Sequence, residues 1–430
     1  MTAPRRSLGS GPLGVRSFRL LCGGQFASTI GDFCYAVALP WLVLSAHGGA
    51  ILLGTVLACY GVPRTVLIPV GGVLADKVGP RTLMLAADAA RCALVAGLAV
   101  LAARHVATLV ALGPIAALIG AGEGLFIPAS FAIMPSLLDG ERLAAGNALS
   151  TAAVQAGSLL GPALGGALVA LTGASTGAFA VDAASFGVSA LTLLLIPRRP
   201  APGSLTAEPA PRGGVLALLS RSRELQVILV VVIAANLASG GMGDVALPAL
   251  AHARYGAAGY GALLACLAVG GIAGTLGAAR TGNLRSPVIF ASAVFLAESA
   301  AIALVPYPGG EPGAAVLLCL VGACNGLGNV TVLTVMQKWV PAGLLGRVMG
   351  ALMLCSFGSF PLSVAVSGVL IHHLGPTPFF PVAGALVAVA ILGGLTQREF
   401  RAFGATADGG DPVAVAQAAD DLKAAEGSRK

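Results

Sequence analysis

Five polar side chains interrupt long apolar stretches of the sequence and could bind protons or polar ligands. They are Asp32, Glu123, Asn236, Asp244 and Asn325. A charge at the centre of a bilayer costs about 2.5–3.5 kcal/mol, so such a residue usually faces a cavity or a partner. A carboxyl group that loses its water in such a place takes up a proton more readily. Each of the five is therefore a candidate site residue, and the alternative for each is a hydrogen-bonded packing role.

Other ionisable residues in the apolar stretches have simpler interpretations. Arg64 lies midway along the second stretch and could neutralise either Asp32 or Glu123. Asp88 and Arg91 are three residues apart, a spacing that favours a structural pair on one helix face. We expect Asp182, near the start of its stretch, to be structural as well.

The composition of the chain indicates which kind of secondary structure carries these residues. The chain has 430 residues, of which 57% are hydrophobic and 10% charged, with a mean hydropathy of +0.90. A soluble globular chain is about 25% charged, so this is an integral membrane protein. Segments of alternating polarity are absent from the sequence, which favours helical spans over a barrel. Twelve apolar runs of spanning length are predicted, at 18–45, 51–74, 82–103, 107–134, 145–171, 177–196, 224–250, 259–279, 286–306, 313–338, 345–371 and 377–396.

A segment rich in proline and charge, 197–223, divides these runs into two sets of six and is predicted to be a flexible cytoplasmic linker. The sequence thus predicts an N-terminal bundle over 18–196 and a C-terminal bundle over 224–396. A polar N-terminal segment, 1–17, and a tail, 397–430, are predicted to be disordered in the cytoplasm.

The basic residues are distributed unevenly between the two sets of connections. If the N-terminus is cytoplasmic, the opposite loops hold only Arg104 and Arg254. This bias places both termini in the cytoplasm of a multi-pass protein of the plasma or inner membrane. It also accounts for the net charge of +7, so we expect no nucleic-acid partner. The cytoplasmic basic residues are Lys77, Arg81, Arg142, Arg198, Arg199, Arg212, Arg221, Arg223, Arg280, Arg285, Lys338, Arg347, Arg398 and Arg401.

The two halves share an internal repeat with an offset of 202 residues. Gly120 corresponds to Gly322 and Gly124 to Gly326 at this offset, and position 123 corresponds to 325. The same offset relates Gly72 to Gly274 in a separate region, so it does not rest on one local match.

A charged turn between the second and third runs carries a recognisable motif. It resembles the signature loop of the major facilitator superfamily, G-x-L-A-D-[RK]-x-G-[RK]-[RK], and departs from it at Pro80. The alternative is a generic basic cytoplasmic turn. The resemblance makes the loop a conformational switch, with Gly72, Asp76, Lys77, Gly79 and Arg81 as its residues.

A second motif lies in the fifth run, at Gly157, Gly161, Pro162, Gly165 and Gly166. It resembles the G-x-x-x-G-P-x-x-G-G motif of antiporters in the same superfamily. The alternative is ordinary close packing of helices through small residues. Together with Gln25 and Asp32 in the first run, the motif is similar to the drug:proton antiporter branch that includes macrolide-efflux and siderophore-export proteins.

The resemblance implies an all-α membrane protein with twelve helices in two pseudo-symmetric six-helix bundles. It implies that spans 1, 4, 7 and 10 line a central cavity, which would bring Asp32, Glu123, Asp244, Asn236 and Asn325 to the cavity, with Arg64 and Gln25 nearby. Glu298, in span 9, is expected to be peripheral.

The predicted function is secondary active export of small hydrophobic or amphipathic molecules by proton antiport. Uptake or uniport is one alternative, and a non-transporting membrane sensor is another. No nucleotide-binding motif or cluster of catalytic residues is found in the sequence, so we expect no cofactor beyond the proton gradient and no enzymatic activity. The eight cysteines lie within apolar runs and are expected to be packing residues, with no metal site. The expected working unit is a monomer.

Overall fold

The structure is a computed structural model that describes residues 11–197, 223–278, 286–307, 309–339 and 342–402. Most of the predicted linker, of the N-terminal segment and of the tail lie outside these residues.

Twelve helices in the described part of the chain are long and apolar enough to cross a membrane, as predicted. No strand occurs among the described residues. The observed helices begin and end within a few residues of the predicted runs, because some 20 apolar residues are needed for one crossing. Spans 1 to 6 are Arg16–Ser45, Gly49–Val78, Pro80–Ala103, Leu109–Leu137, Gly140–Thr172 and Thr176–Leu195. Span 7 is Arg223–Arg254, and spans 8 to 12 are Gly256–Ala278, Pro287–Leu304, Gly310–Trp339, Ala342–Leu374 and Pro376–Thr396.

The connection between spans 2 and 3 is shorter than the predicted charged turn. Span 2 remains helical to Val78, so Gly72, Asp76 and Lys77 are helical residues. The chain reverses at Gly79, whose φ of +88° lies in the region that favours glycine. Span 3 starts directly at Pro80, whose fixed φ suits the first helical position. The predicted connection between the runs 51–74 and 82–103 was therefore too long, because span 2 continues to Val78 and span 3 begins at Pro80.

Span 7 contains a break in its regular α-helix that the sequence did not reveal. Residues Arg223–Gly241 are α-helical, Met242–Ala246 form a π-helical turn, and Leu247–Arg254 are α-helical again. Asp244 is the central residue of this turn. Such turns occur frequently at functional sites because they displace one residue from the regular helix surface.

The predicted repeat is visible in the packing of the glycine-containing helices. A Cβ atom on Gly120 or Gly124 would clash with backbone carbonyl groups of span 2. Likewise, a Cβ atom on Gly322 or Gly326 would clash with carbonyl groups of span 8. Spans 2 and 4 therefore approach each other as spans 8 and 10 do, through corresponding glycines.

The chain forms two compact units whose boundaries fall within spans 7, 8 and 11 as well as in the connection after span 6. The first unit comprises 1–206, 243–265 and 364–376, and the second comprises 207–242, 266–363 and 377–430. Inside the first unit, the Trp41 ring packs edge-on to His252 with centroids 4.7 Å apart. The second half of span 7 is therefore packed against the end of span 1.

Candidate functional site

Arg64, Tyr60 and Glu123 form a polar contact between spans 2 and 4. Arg64 Nη2 lies 3.1 Å from Glu123 Oε1, and the Tyr60 hydroxyl donates a hydrogen bond to Glu123 Oε2. The Arg64 and Glu123 side chains are 18% and 24% exposed, so the pair is largely enclosed. The sequence left open whether Arg64 pairs with Asp32 or Glu123, and the structure assigns it to Glu123. Tyr60 was not predicted, although its position four residues before Arg64 places both on one helix face.

Asp32 lies deep along span 1, yet its side chain is exposed. Among the described residues, no cation lies within ion-pair distance of its carboxylate. An exposed carboxylate at this depth is expected to face water rather than lipid.

Gly31 does not leave open space beside Asp32, because residues of span 6 pack against it. A Cβ atom at Gly31 would lie 2.5 Å from Asp182 Oδ1 and 2.8 Å from Ser185 Cβ of span 6. Asp182 is 1% exposed, and its carboxylate accepts a weak hydrogen bond from Ser185 Oγ at 3.5 Å. The absent side chain of Gly31 thus allows a second carboxyl group to lie next to Asp32, which the interpretation of Asp182 as merely structural did not anticipate.

Asp88 and Arg91 form the predicted pair within span 3. Arg91 Nη2 lies 2.5 Å from Asp88 Oδ1, and Ser189 Oγ donates to Asp88 Oδ2 at 2.6 Å. The Arg91 guanidinium also lies over the rings of Phe126 and Phe186, at 4.6 and 4.3 Å from their centroids. These contacts compensate for the burial of both charges and support a structural role.

Asp244 joins this group through the π-helical turn of span 7. Asp244 belongs to the same compact unit as Arg64 and Glu123. Away from their ends, the membrane-crossing helices of the first unit carry five carboxyl groups and two guanidinium groups among the described residues, namely Asp32, Asp88, Glu123, Asp182, Asp244, Arg64 and Arg91. Full ionisation would give these groups a net charge of 2 − 5 = −3.

The predicted amide residues lie in other environments. Asn236 Nδ2 donates to Val232 O at 2.8 Å within its own helix, and Ser356 Oγ of span 11 lies 3.4 Å away. Asn325 Nδ2 donates to Glu298 Oε1 at 3.1 Å, so Asn325 is paired with a residue that we expected to be peripheral. Gln25 Oε1 accepts a hydrogen bond from Ser150 Oγ at 2.7 Å, which connects spans 1 and 5.

The glycines of the fifth-span motif point in two directions. Gly157, Gly161 and Gly165 face span 1; for example, a Cβ atom at Gly161 would lie 2.7 Å from Ile30 O. Gly166 instead faces span 8, where its Cβ atom would lie 2.9 Å from Gly261 Cα. The Pro162 carbonyl also faces span 8, 2.5 Å from a Cβ atom at Gly261. The motif therefore joins span 5 to span 1 on one side and to the start of span 8 on the other.

The switch-loop residues make a contact that the sequence did not predict. Arg81 Nε donates to Leu193 O at 2.8 Å, and Arg81 Nη2 donates to Leu194 O at 3.0 Å. These carbonyl groups belong to the last turn of span 6, where carbonyl groups lack their usual helical partners, although Leu193 O also accepts a hydrogen bond from Ile196 N at 3.2 Å. Asp76 and Lys77 are exposed, and Gly72 has open space where a Cβ atom would lie. Arg81 thus connects the loop to the end of span 6.

This contact makes a testable contribution to stability. We expect Arg81→Met to lower the free energy of unfolding by about 1–3 kcal/mol, because two carbonyl groups lose a charged donor. A thermal unfolding assay in detergent measures the change. Lys77→Met removes an equally basic but exposed side chain four residues away and is the matched control. Equal melting temperatures for both variants would show that the Arg81 contact contributes nothing.

Comparison with known families agrees with this architecture. Residues 21–364 match the model of the Major Facilitator Superfamily, so the chain belongs to that family of membrane transporters. The multidrug efflux pump Tap of Mycolicibacterium fortuitum is 27% identical over 376 residues, covering 85% of this chain and 90% of Tap. The enterobactin exporter EntS of Salmonella typhimurium is 26% identical over 409 residues, covering 90% of this chain and 94% of EntS.

Solved structures show the same fold at low sequence identity. A bacterial homologue of the iron transporter ferroportin superposes with a TM-score of 0.69 at 17% identity, covering 93% of this chain and all of that one. The nucleoside transporter NupG also gives a TM-score of 0.69, at 13% identity, covering 88% of this chain and 98% of NupG. The predicted major facilitator fold is thereby confirmed.

Proposed function

We propose that this transporter exports small hydrophobic or amphipathic molecules, such as drugs, antibiotics or siderophore-like compounds, and that proton entry drives the export. Two relatives named as an efflux pump and an exporter support the direction of transport. The resemblance of the fifth-span motif to that of antiporters supports exchange with protons. We propose transport without a bound cofactor and without catalysis.

The observation that carries the proposal is the excess of carboxyl groups over guanidinium groups in the first unit. Five carboxyl groups and two guanidinium groups lie there, away from the ends of helices that cross the membrane. Uncompensated charge is costly at this depth. This set of side chains must therefore bind protons or a cationic substrate to reduce its negative charge. Exchange of bound protons for bound substrate is the basis of an antiporter.

Asp32 is the proposed proton carrier. Arg64 is engaged by Glu123, and Asp32 is exposed without an ion pair among the described residues. It can therefore gain and lose a proton without breaking a salt bridge. Facing outwards, Asp32 takes up a proton as the substrate leaves; facing the cytoplasm, it releases the proton as the next substrate binds. Glu123 serves as the second carboxylate or as a ligand for a substrate cation.

The experiment that tests this function is transport into proteoliposomes. A panel of hydrophobic cations and neutral antibiotics is offered with and without an imposed pH gradient. We expect accumulation of some members only when the gradient is present. Transport that is indifferent to the gradient for every transported compound would contradict proton antiport and would favour uniport.

We propose that the protein lies in the plasma (inner) membrane as a monomer, with both termini in the cytoplasm. Single cysteines introduced at Lys77 and Arg104, both exposed, test the orientation in a cysteine-free background. We expect a membrane-impermeant maleimide to label the Arg104→Cys variant in intact cells and the Lys77→Cys variant only after the cells are opened. The reverse pattern would overturn the orientation.

A further inference from the structure

A buried carboxyl group lies in the second unit, away from the residues assigned above. Glu298, in span 9, is 5% exposed. Its Oε1 accepts a hydrogen bond from Asn325 Nδ2 at 3.1 Å, and Asn325 Oδ1 accepts one from Asn329 Nδ2 at 2.9 Å. Asn329 itself is exposed. A continuous chain of hydrogen bonds therefore connects the surface of span 10 with a buried carboxyl group.

No cation compensates Glu298 among the described residues. Span 9 carries no other ionisable side chain, and span 12, which packs Gly384 against Ser299, carries none from Pro376 to Thr396. The ionisable neighbour on span 10 is Cys324, which does not supply a positive charge. A bare carboxylate would cost at least about 2.5–3.5 kcal/mol at such a depth.

The remaining charged side chains that the structure describes on neighbouring elements are too distant to compensate Glu298. Glu311 of span 10 is 14 residues from Asn325, which corresponds to about 20 Å along a helix. The short helix Arg398–Ala402 carries Arg398, Glu399 and Arg401 and packs near Val288. Val288 is ten residues from Glu298, or about 15 Å.

We propose that Glu298 is a proton-binding site of the C-terminal half, reached from water past Asn329 and Asn325. The proton is the ligand that fits, because Glu298 is 5% exposed and its Oε1 already accepts a hydrogen bond from Asn325. Release breaks the O–H bond of Glu298 and transfers the proton to a water molecule, leaving a carboxylate that the Asn325 amide stabilises. The role of this proton-binding site in transport rests on the proposed function.

The internal repeat shows how the two halves differ at this point. Asn325 occupies the position that corresponds to Glu123, since 123 + 202 = 325. In the first half the carboxylate comes from span 4 and is paired with Arg64. In the second half the carboxyl group comes from span 9 and is held by an amide. The carboxylate of the first half is therefore held in an ion pair, whereas the carboxyl group of the second half has an amide partner and can exchange a proton.

Asn329 lies on the side of span 10 that suits contact with water. Val316 and Leu320 are 70% and 46% exposed and form an apolar surface suited to lipid. Asn329 follows Leu320 by nine residues, which is about two and a half helical turns, so the two side chains point in opposite directions. Leu333, one turn beyond Asn329, is also 43% exposed, so this side of the helix is open as well. The exposed amide provides an entrance for water there, and Asn325 then controls access to Glu298.

Infrared spectroscopy of the full chain in liposomes tests this site directly. A protonated carboxylic acid has a carbonyl stretch distinct from that of a carboxylate. We expect Glu298→Gln to remove one such band and Asn325→Leu to shift it, because the hydrogen bond to the carboxyl group is lost. A carboxylic-acid region that is identical in the wild type and Glu298→Gln would overturn the proposal.

A second measurement does not depend on that variant being folded. On transfer to heavy water, the band moves as the proton is replaced by deuterium. We expect Asn329→Leu to slow this replacement about tenfold or more, whereas Leu320→Asn, on the opposite side, leaves it unchanged. Equal rates in the wild type and Asn329→Leu would contradict the proposed path. Neither measurement uses a substrate or a pH gradient. Both therefore test proton binding at Glu298 even if the proposed export function is wrong.

Discussion

Asp32→Asn is expected to abolish transport driven by a pH gradient while sparing exchange of substrate at equal pH on both sides. Asparagine keeps the size and hydrogen-bonding capacity of the side chain but cannot release a proton. The structure strengthens this expectation, because Arg64, which could have neutralised Asp32, is paired with Glu123 at 3.1 Å. Asp32 can therefore change its charge without opening a salt bridge.

The decisive measurement is substrate-induced proton release from the detergent-solubilised protein across a range of pH. Asp244→Asn is the matched comparison, because Asp244 also lies within a span, belongs to the same unit and has no ion pair within 4 Å among the described residues. We expect Asp32→Asn to release no protons and Asp244→Asn to release them as the wild type does. The opposite result would make Asp244 the carrier.

Gly166→Leu is expected to leave the protein folded but to block transport by keeping spans 5 and 8 apart. A Cβ atom at Gly166 would lie 2.8 Å from Ala257 O, so even the first carbon of a side chain separates the two backbones. A leucine would force a wider separation. Because this variant changes the distance between two spans that are in direct backbone contact, we expect transport to fall to background.

Gly161→Leu, in the same motif, should behave differently. Gly161 faces Phe33 and Ile30 of span 1, inside the N-terminal set of helices, with a Cβ position 2.5 Å from Phe33 Cβ. We expect the yield of folded protein to fall for this variant, because the packed helices of the bundle cannot move apart to make room for the larger side chain. Gly177→Leu is the control, since nothing lies within 4 Å of a Cβ atom at that position.

Size-exclusion chromatography and transport rates together distinguish these variants. The expected pattern is a monodisperse but inactive Gly166→Leu, an aggregated Gly161→Leu and a normal Gly177→Leu. An active Gly166→Leu would show that the close crossing of spans 5 and 8 is not part of the transport cycle. A well-folded and active Gly161→Leu would show that the close contact between Gly161 and span 1 is not needed for folding.

The twelve spans and their membership in the Major Facilitator Superfamily could be predicted from the sequence alone. Each crossing needs some 20 apolar residues, and this requirement can be counted along the chain. The glycine pairs of the repeat were also predictable, because close approach of two helices in lipid needs small residues. The depth of Asp32 and Glu123 along their spans follows from the same counting, at 1.5 Å for each residue.

The partner of each polar side chain was decided by the tertiary structure. Arg64 could have paired with Asp32 or Glu123 by depth alone, and the close crossing of spans 2 and 4 at Gly124 brings it to Glu123. Glu298 was assigned to a peripheral span, yet span 10 presents Asn325 to it. Depth is a property of one helix, whereas the neighbour of a side chain depends on the rotation and crossing angle of two helices. The rotation and the crossing angle of two helices are set by all of the contacts between the spans together, so they cannot be read from the sequence of one span.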